Sequence, residues 1–318
     1  MNIIEQAARR LEQLERAGVS VPWAAAGIDL QARAPLNNAR DVDPPPVAEP
    51  RSDSVVAIAA HGGVRPTTPP LRAEPKYRIE LDLQRLRQAG DLVPDQIRSA
   101  MAEQFRHLKR PLLKAARAPV EPNAHNPSQI MVTSALPGEG KTFCASNLAM
   151  SMAMEVDTSV ILVDADVLRP SVFSRLGIDQ RPPGLLDYLS GDVGEVHDVL
   201  VETNIPKLML MSSGEPNPRS NELLASDAMD RLLSKLEVDY SDCVVIFDGP
   251  PILVTTESTV LASKVGQVLV VVENGKTTRH AVQQAFAALR HCPVVMSVLN
   301  KCDESSDAAR YGYGYYAR

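Results

Sequence analysis

From residue 128 onward, short apolar runs rich in β-branched residues alternate with stretches of helical spacing. The runs Ile130–Thr133, Val160–Val163, Leu208–Met211, Val244–Phe247, Val268–Val272 and Val294–Leu299 predict strands. They are mostly apolar throughout rather than alternating, which suits strands covered on both faces, as in a parallel sheet. Helices are predicted at 141–154, 219–237, 255–263 and 277–290. The alternation specifies an α/β class domain with a doubly wound, mostly parallel sheet. Upstream, Ile97, Met101, Phe105, Leu108 and Leu112 follow helical spacing over 95–117, where Pro94 can start the helix and Pro111 would interrupt or kink it.

The first 76 residues carry a different pattern. Ile4, Ala7, Leu11 and Leu14 form a narrow apolar seam on a short helix over 2–17. Such a helix is marginal alone, so it docks on a partner or a second copy, or folds back on its own domain. Eleven of the 25 prolines lie in the first 94 residues, with few large apolar residues beside them. Residues 18–76 therefore read as a disordered linker that cannot offset its ordering entropy. The expected organisation is a helix (1–17), this linker (18–76), the α/β domain (77–310) and a tail (311–318).

Composition narrows the function classes. The 318 residues are 23% charged and carry a formal net charge of -6, which gives no reason to expect nucleic-acid binding. No stretch approaches the roughly 20 apolar residues of a membrane span. The charged N-terminus lacks a signal peptide's apolar core, so a cytoplasmic protein is expected. Cys144, Cys243, Cys292 and Cys302 show no CxxC spacing and are expected as reduced thiols.

The sharpest chemical signal is Ala135-Leu136-Pro137-Gly138-Glu139-Gly140-Lys141-Thr142, between a predicted strand and a predicted helix. That context is the one a P-loop requires. Gly138 and Gly140 let backbone N–H groups turn toward phosphate, and the helix N-terminus adds partial positive charge. Lys141 can reach the β- and γ-phosphates of ATP, and Thr142 can place its hydroxyl on Mg²⁺. Ala135 stands where the general pattern has its first glycine. Pro137, Gly138, Glu139, Gly140, Lys141, Thr142 and Phe143 are the expected nucleotide-binding stretch. Two further strands end in acids: Asp164 with Asp166, and Asp248. Residues i and i+2 of an extended strand point to one side, so Asp164 and Asp166 are expected to face a metal together at the sheet's C-terminal edge.

PGEGKT, VDADVLRP at 163–170 and FDGPP at 247–251 together resemble the bacterial tyrosine kinases, P-loop ATPases with a second acidic strand-end motif. Gly184–Gly191, Asn217-Pro218 and Glu222–Ser226 resemble further segments of that family, and the likeness covers about 95–318. It implies that Thr142 ligates Mg²⁺ directly while Asp166 and Asp248 hold it through water. Lys141 would stabilise the transferred group, and Asp164 would accept the tyrosine proton or orient its hydroxyl. Asn300 resembles the asparagine that reads adenine in related ATPases; a turn residue is the other reading.

Four of the seven tyrosines, Tyr311, Tyr313, Tyr315 and Tyr316, fall in the last eight residues. In the resembled family such a cluster is autophosphorylated by a neighbouring subunit of a ring. Glu103, Arg106 and Lys109 resemble the family's Glu-x-x-Arg-x-x-Arg interface helix, with lysine replacing the second arginine and Arg110 projecting about 100° further round. The order of short helix, proline-rich linker and kinase domain resembles the exosortase-associated tyrosine autokinases. That implies a membrane chain-length-determinant partner for polysaccharide export, peripheral placement at the inner membrane through it, and an opposing tyrosine phosphatase. The rival readings are a positioning ATPase, whose loop usually carries an early lysine where Leu136-Pro137-Gly138 stands here, and a nucleotide-sensing scaffold.

Overall fold

The computed structural model describes residues 74–96, 98–118 and 124–302. The expected N-terminal helix, the linker up to residue 73, Ile97 and the tyrosine tail lie outside the described residues.

Among the described residues, eight strands form one sheet: β1 (Tyr77–Ile79), β2 (Gln129–Ser134), β3 (Ser159–Asp164), β4 (Leu200–Thr203), β5 (Leu208–Met211), β6 (Cys243–Asp248), β7 (Gln267–Glu273) and β8 (Val294–Asn300). Their order is β1-β4-β5-β3-β6-β2-β7-β8. All neighbours run parallel except β4 and β5. The six apolar runs of the sequence are the six strands from β5 to β8 in this order. Strands β2 and β6 are buried at every position, the burial that a two-sided helical cover demands. The two additional strands, β1 and β4, are only three and four residues long.

Nine α-helices are described: α1 (Leu83–Gln88), α2 (Ala100–Ala116), α3 (Lys141–Ala153), α4 (Val172–Arg175), α5 (Leu185–Ser190), α6 (Ser220–Ala225), α7 (Asp227–Asp239), α8 (Thr256–Ala262) and α9 (Arg279–Ala288). Alternate residues of each central strand point to opposite layers. Met131, Ile161, Val163, Val245 and Phe247 pack with α5 to α9. Ile130, Val132, Val160, Leu162 and Ile246 pack with α1 to α4.

Two of the expected helices differ from expectation. The helix expected over 95–117 starts at Ala100 because Ser99 caps it, its Oγ accepting the Ala102 N–H at 3.1 Å. It also runs through Pro111 rather than stopping there. The single helix expected over 219–237 is two. Ser226 adopts extended backbone between them, and its Oγ accepts the Ala228 N–H at 3.2 Å to cap α7. Among the described residues no helix is long and apolar enough to cross a membrane. None of the four cysteines is in a disulfide among the described residues.

Candidate active site

The chain turns sharply between β2 and α3. Gly138 has φ 84° and Gly140 has φ 95°, a left-handed backbone that glycine adopts without strain. Ala135 is buried and not left-handed, so an alanine suffices where the general pattern has glycine. The loop is braced from outside. Asn300 Nδ2 donates to the Glu139 carbonyl at 2.9 Å, and Lys301 Nζ donates to the Gly138 carbonyl at 2.7 Å. The Glu139 carboxylate folds back to accept the Leu136 N–H at 2.9 Å and the Thr277 hydroxyl. Asn300 thus does more than end a strand: it holds the loop, a role its sequence position did not signal.

A Cβ on Gly140 would stand 2.2 Å from Asn300 Nδ2 and would also strain the left-handed backbone. Gly140→Ala should therefore displace the brace and weaken binding of a fluorescent ATP analogue at least about tenfold, as strained backbone costs on the order of 1–3 kcal/mol. Fluorescence titration checks this; unchanged affinity would show that the loop tolerates the displacement.

Strand pairing brings the acids together. Asp164 and Asp248 are register partners on the adjacent strands β3 and β6. Burial and the neighbouring Asp248 charge push the Asp164 carboxyl up to about 7. Burial, opposed by Lys141 and the Thr142 hydrogen bond, pushes Asp248 up to about 6. Lys141 Nζ lies 2.7 Å from Asp166 Oδ2. Burial acts to lower the Lys141 pKa, but Asp248, Asp166 and Asp164 outweigh it and raise the group above its ordinary value. Thr142 Oγ1 donates to Asp248 Oδ2 at 2.7 Å and lies 2.8 Å from Ser171 Oγ.

Asp164 and Asp166 do not share their partners. Strand β3 stops at Asp164, so strand alternation no longer governs Asp166. Asp164 Oδ2 accepts the Ser171 and Val172 N–H groups, both at 2.9 Å, whereas Asp166 takes Lys141 and the Arg169 N–H. Behind this loop, Arg175 binds Asp91, which also accepts from Asn147. The Arg175 guanidinium lies 4.8 Å from the Phe143 ring centroid. No spacing or motif marks Ser171, Asp91, Asn147 or Arg175 in the sequence, since their pairing joins distant segments.

Two clefts flank the loop. One of about 540 Å³ is lined by Gly138, Lys141, Thr142, Asp166 and Arg169. The other, about 590 Å³, lies between α2 and the end of β8, lined by Phe105, Leu108, Phe143, Leu299 and Asn300. On α2, Glu103 pairs with Arg106. Lys109 is buried instead, its Nζ bonding the Ser151 carbonyl at 2.5 Å and Glu155 Oε1 at 2.7 Å. Lys109 is therefore committed within one chain, while Arg110 is exposed.

Among the described residues, no three His, Cys, Asp or Glu side chains form a metal-holding group by themselves. The acids nevertheless fit a divalent cation shared with phosphate. Asp248 Oδ1 and Asp164 Oδ1 are buried without a hydrogen-bond partner, and burial raises both groups toward the neutral form, so a bound cation would find two oxygens to neutralise.

No family model matches the chain. It is 33% identical over 187 residues to EpsB of Ralstonia nicotianae, covering 58% of this chain and 24% of that relative. The match thus spans about a quarter of EpsB. It is 31% identical over 185 residues to the tyrosine-protein kinase YwqD of Bacillus subtilis, covering 58% of this chain and 76% of YwqD. Among solved structures, the kinase domain of VpsO superposes with a TM-score of 0.51 at 28% identity, covering 64% of this chain and 100% of that domain.

Proposed function

The chain belongs to the bacterial tyrosine-protein kinases, and from that premise we propose that it transfers the γ-phosphate of ATP to the C-terminal tyrosines of a neighbouring copy. The observation that carries this reading is the convergence of a braced P-loop, Lys141, the strand-end acids Asp164 and Asp248 and the loop acid Asp166 at one sheet edge. The P-loop and Lys141 bind the phosphates, and the adenosine lies toward Phe143 and Asn300. The remaining N–H and the Oδ1 of the Asn300 amide are the groups available to a base. Thr142 directly, and Asp166 and Asp248 through water, would hold Mg²⁺, which supplies neutralisation of phosphate charge when bound.

The tyrosine oxygen forms a bond to the γ-phosphorus as the bond from that phosphorus to the bridging oxygen breaks. ADP departs with the bonding electron pair, and the phenol proton passes to Asp164. An unperturbed phenol has a pKa near 10, so a buried carboxylate is a useful acceptor. Glu103 and Arg106 on α2 contribute to assembly into a ring. A membrane chain-length-determinant protein recruits the chain to the inner membrane, and a tyrosine phosphatase resets it. Each phosphate adds about -1.5 to -2 charges to the tail. Repulsion within an already acidic protein then loosens the ring and paces polysaccharide export.

The test is incubation of the purified chain with Mg²⁺-ATP and mapping of phosphotyrosine by mass spectrometry, beside Lys141→Met and a truncation after Ala309. Phosphate on Tyr311–Tyr316 that is absent from Lys141→Met is the expected result. Steady ATP hydrolysis without phosphotyrosine, even with the membrane partner's cytoplasmic tail present, would favour a positioning ATPase.

A further inference from the structure

The two edges of the sheet are finished differently. Edge strand β1 has three residues, and the charges on and beside it are paired, Lys76 with Asp198 and Arg78 with Glu202. A short, charged edge discourages the addition of a further strand. Edge strand β8 has seven residues, Val294–Asn300, with no proline and no ionisable side chain among them. Its one neighbour in the sheet is β7. Ser297 is exposed and Leu299 is 55% exposed, whereas Val268, Leu269, Val270 and Val271 of β7 are buried.

The register fixes which backbone groups of β8 are open. In a parallel pair, the N–H and C=O of one residue point to the same neighbour, and successive residues alternate sides. Asn300 faces inward, because its carbonyl accepts the Asn274 N–H at 2.9 Å just past the end of β7. By alternation Val294, Met296 and Val298 also face β7, and Val295, Ser297 and Leu299 direct their N–H and C=O groups outward. Among the described residues, these outward groups meet only the Cys302 thiol, 3.7 Å from the Leu299 carbonyl. Such a row of open groups is a template for an added strand.

The spacing of the row selects its partner. Val295, Ser297 and Leu299 are symmetric about Ser297. Laid antiparallel on itself about a two-fold axis through Ser297, β8 sets Ser297 opposite Ser297 of the second copy, and Val295 opposite Leu299 of the second copy. All three outward residues then fall in hydrogen-bonded pairs, which makes about six backbone bonds. The intervening pair is Met296 with Val298 of the second copy, apolar on both sides. No like charges face each other within the strand, and the exposed Leu299 gains a β-branched neighbour. A contact of this kind is isologous and closes at two copies.

The geometry points to β8 as a homodimer interface that joins the sheets of two copies through antiparallel pairing of Val294–Asn300. The contact uses backbone groups of the sheet edge rather than the Glu103 and Arg106 side chains of α2, and it holds whether or not the chain phosphorylates tyrosine. Because β8 ends at the residues that brace the phosphate loop, the two loops lie at opposite ends of the joined strands and neither covers the other.

The experiment uses the full chain with Glu103 and Arg106 changed to Ala, so that α2 contributes no contact, and with Tyr311, Tyr313, Tyr315 and Tyr316 changed to Phe, so that the tail carries no phosphate. Sedimentation velocity over a concentration series should show a monomer–dimer equilibrium. Ser297→Lys, at an exposed position, sets two ammonium groups on the axis and should raise the dimer dissociation constant at least about tenfold, while Ser297→Thr should leave it within about twofold. Matching thermal melts of the monomeric forms would show that Ser297→Lys still folds. In a separate chain, Ser297→Cys treated with a short bismaleimide should give a covalent dimer whose link maps to residue 297 of both copies by mass spectrometry. A chain that stays monomeric at every concentration, a dimer unmoved by Ser297→Lys, or the lack of a 297-to-297 link would each overturn the assignment.

Discussion

Replacing Asp164 by Asn is expected to give a chain that melts at a higher temperature yet transfers phosphate at least ~100-fold more slowly. The asparagine carbonyl can still accept the Ser171 and Val172 N–H groups, so the local fold is kept. What disappears is a buried charge opposite Asp248. The folded Asp164 pKa, about 7, stands above the ordinary value of 3.8. Ionisation therefore opposes folding, and that cost grows as pH rises from about 4 and is complete above about 7. That difference corresponds to an upper bound of about 4 kcal/mol, and relaxation reduces the observable part to about 1–2 kcal/mol. At about 2–4 °C per kcal/mol, the gain is a few degrees. Thermal melts in EDTA at pH 8 and pH 5 check it: the gap should narrow at the lower pH. A variant that melts below the natural chain at both values would mean that the Asp164 charge is itself stabilising.

Arg175→Ala should have the opposite signature, losing stability and rate together. The Asp91 side chain is fully buried, 2.5 Å from Arg175, and its Oδ2 has no partner. Removing the arginine strands that charge, at a cost of about 3–5 kcal/mol, or a fall of roughly 6–20 °C in Tm. Rate should suffer separately. Helix α4 has only four residues, too few to persist without an anchor, and Arg175 is the last of them. The same turn presents the Ser171 and Val172 N–H groups to Asp164 and the Ser171 hydroxyl to Thr142. The double variant Asp91→Asn with Arg175→Met isolates the two roles. It should recover most of the melting temperature while turnover, measured well below the melt, stays depressed. Recovery of both would reduce Arg175 to a counter-charge.

The contrast between these two sites tracks what was legible in the sequence. Asp164 and Asp248 announced themselves because each ends a continuous apolar run, and such runs are forced by burial on both faces. The glycine loop was legible for a similar reason: few other contexts need two left-handed residues between a strand and a helix. Asp91 and Arg175 gave no signal, because a lone acid and a lone arginine look like solvated surface until the fold joins them. Strands β1 and β4 were too short to show a period, and α4 and α5 are single turns whose stability comes from their neighbours. Lys109 read as an interface residue standing for the motif's second arginine, yet its long stem carries the ammonium down to the end of α3. The split at Ser226 was written in Ser226-Asp227, a capping pair that helical spacing on either side concealed.

The brace on the phosphate loop sets a boundary for anyone altering the C-terminus. Asn300 and Lys301 hold the loop carbonyls, and only Cys302 separates them from the segment that leads to the tyrosines. A deletion or fusion junction placed before residue 303 would therefore injure the nucleotide site while seeming to address the tail alone. Tags and truncations belong beyond that point. Traction on the tail would also be felt first by the side chains that keep the phosphate cradle in shape, which makes the last strand a mechanical lead into the catalytic loop.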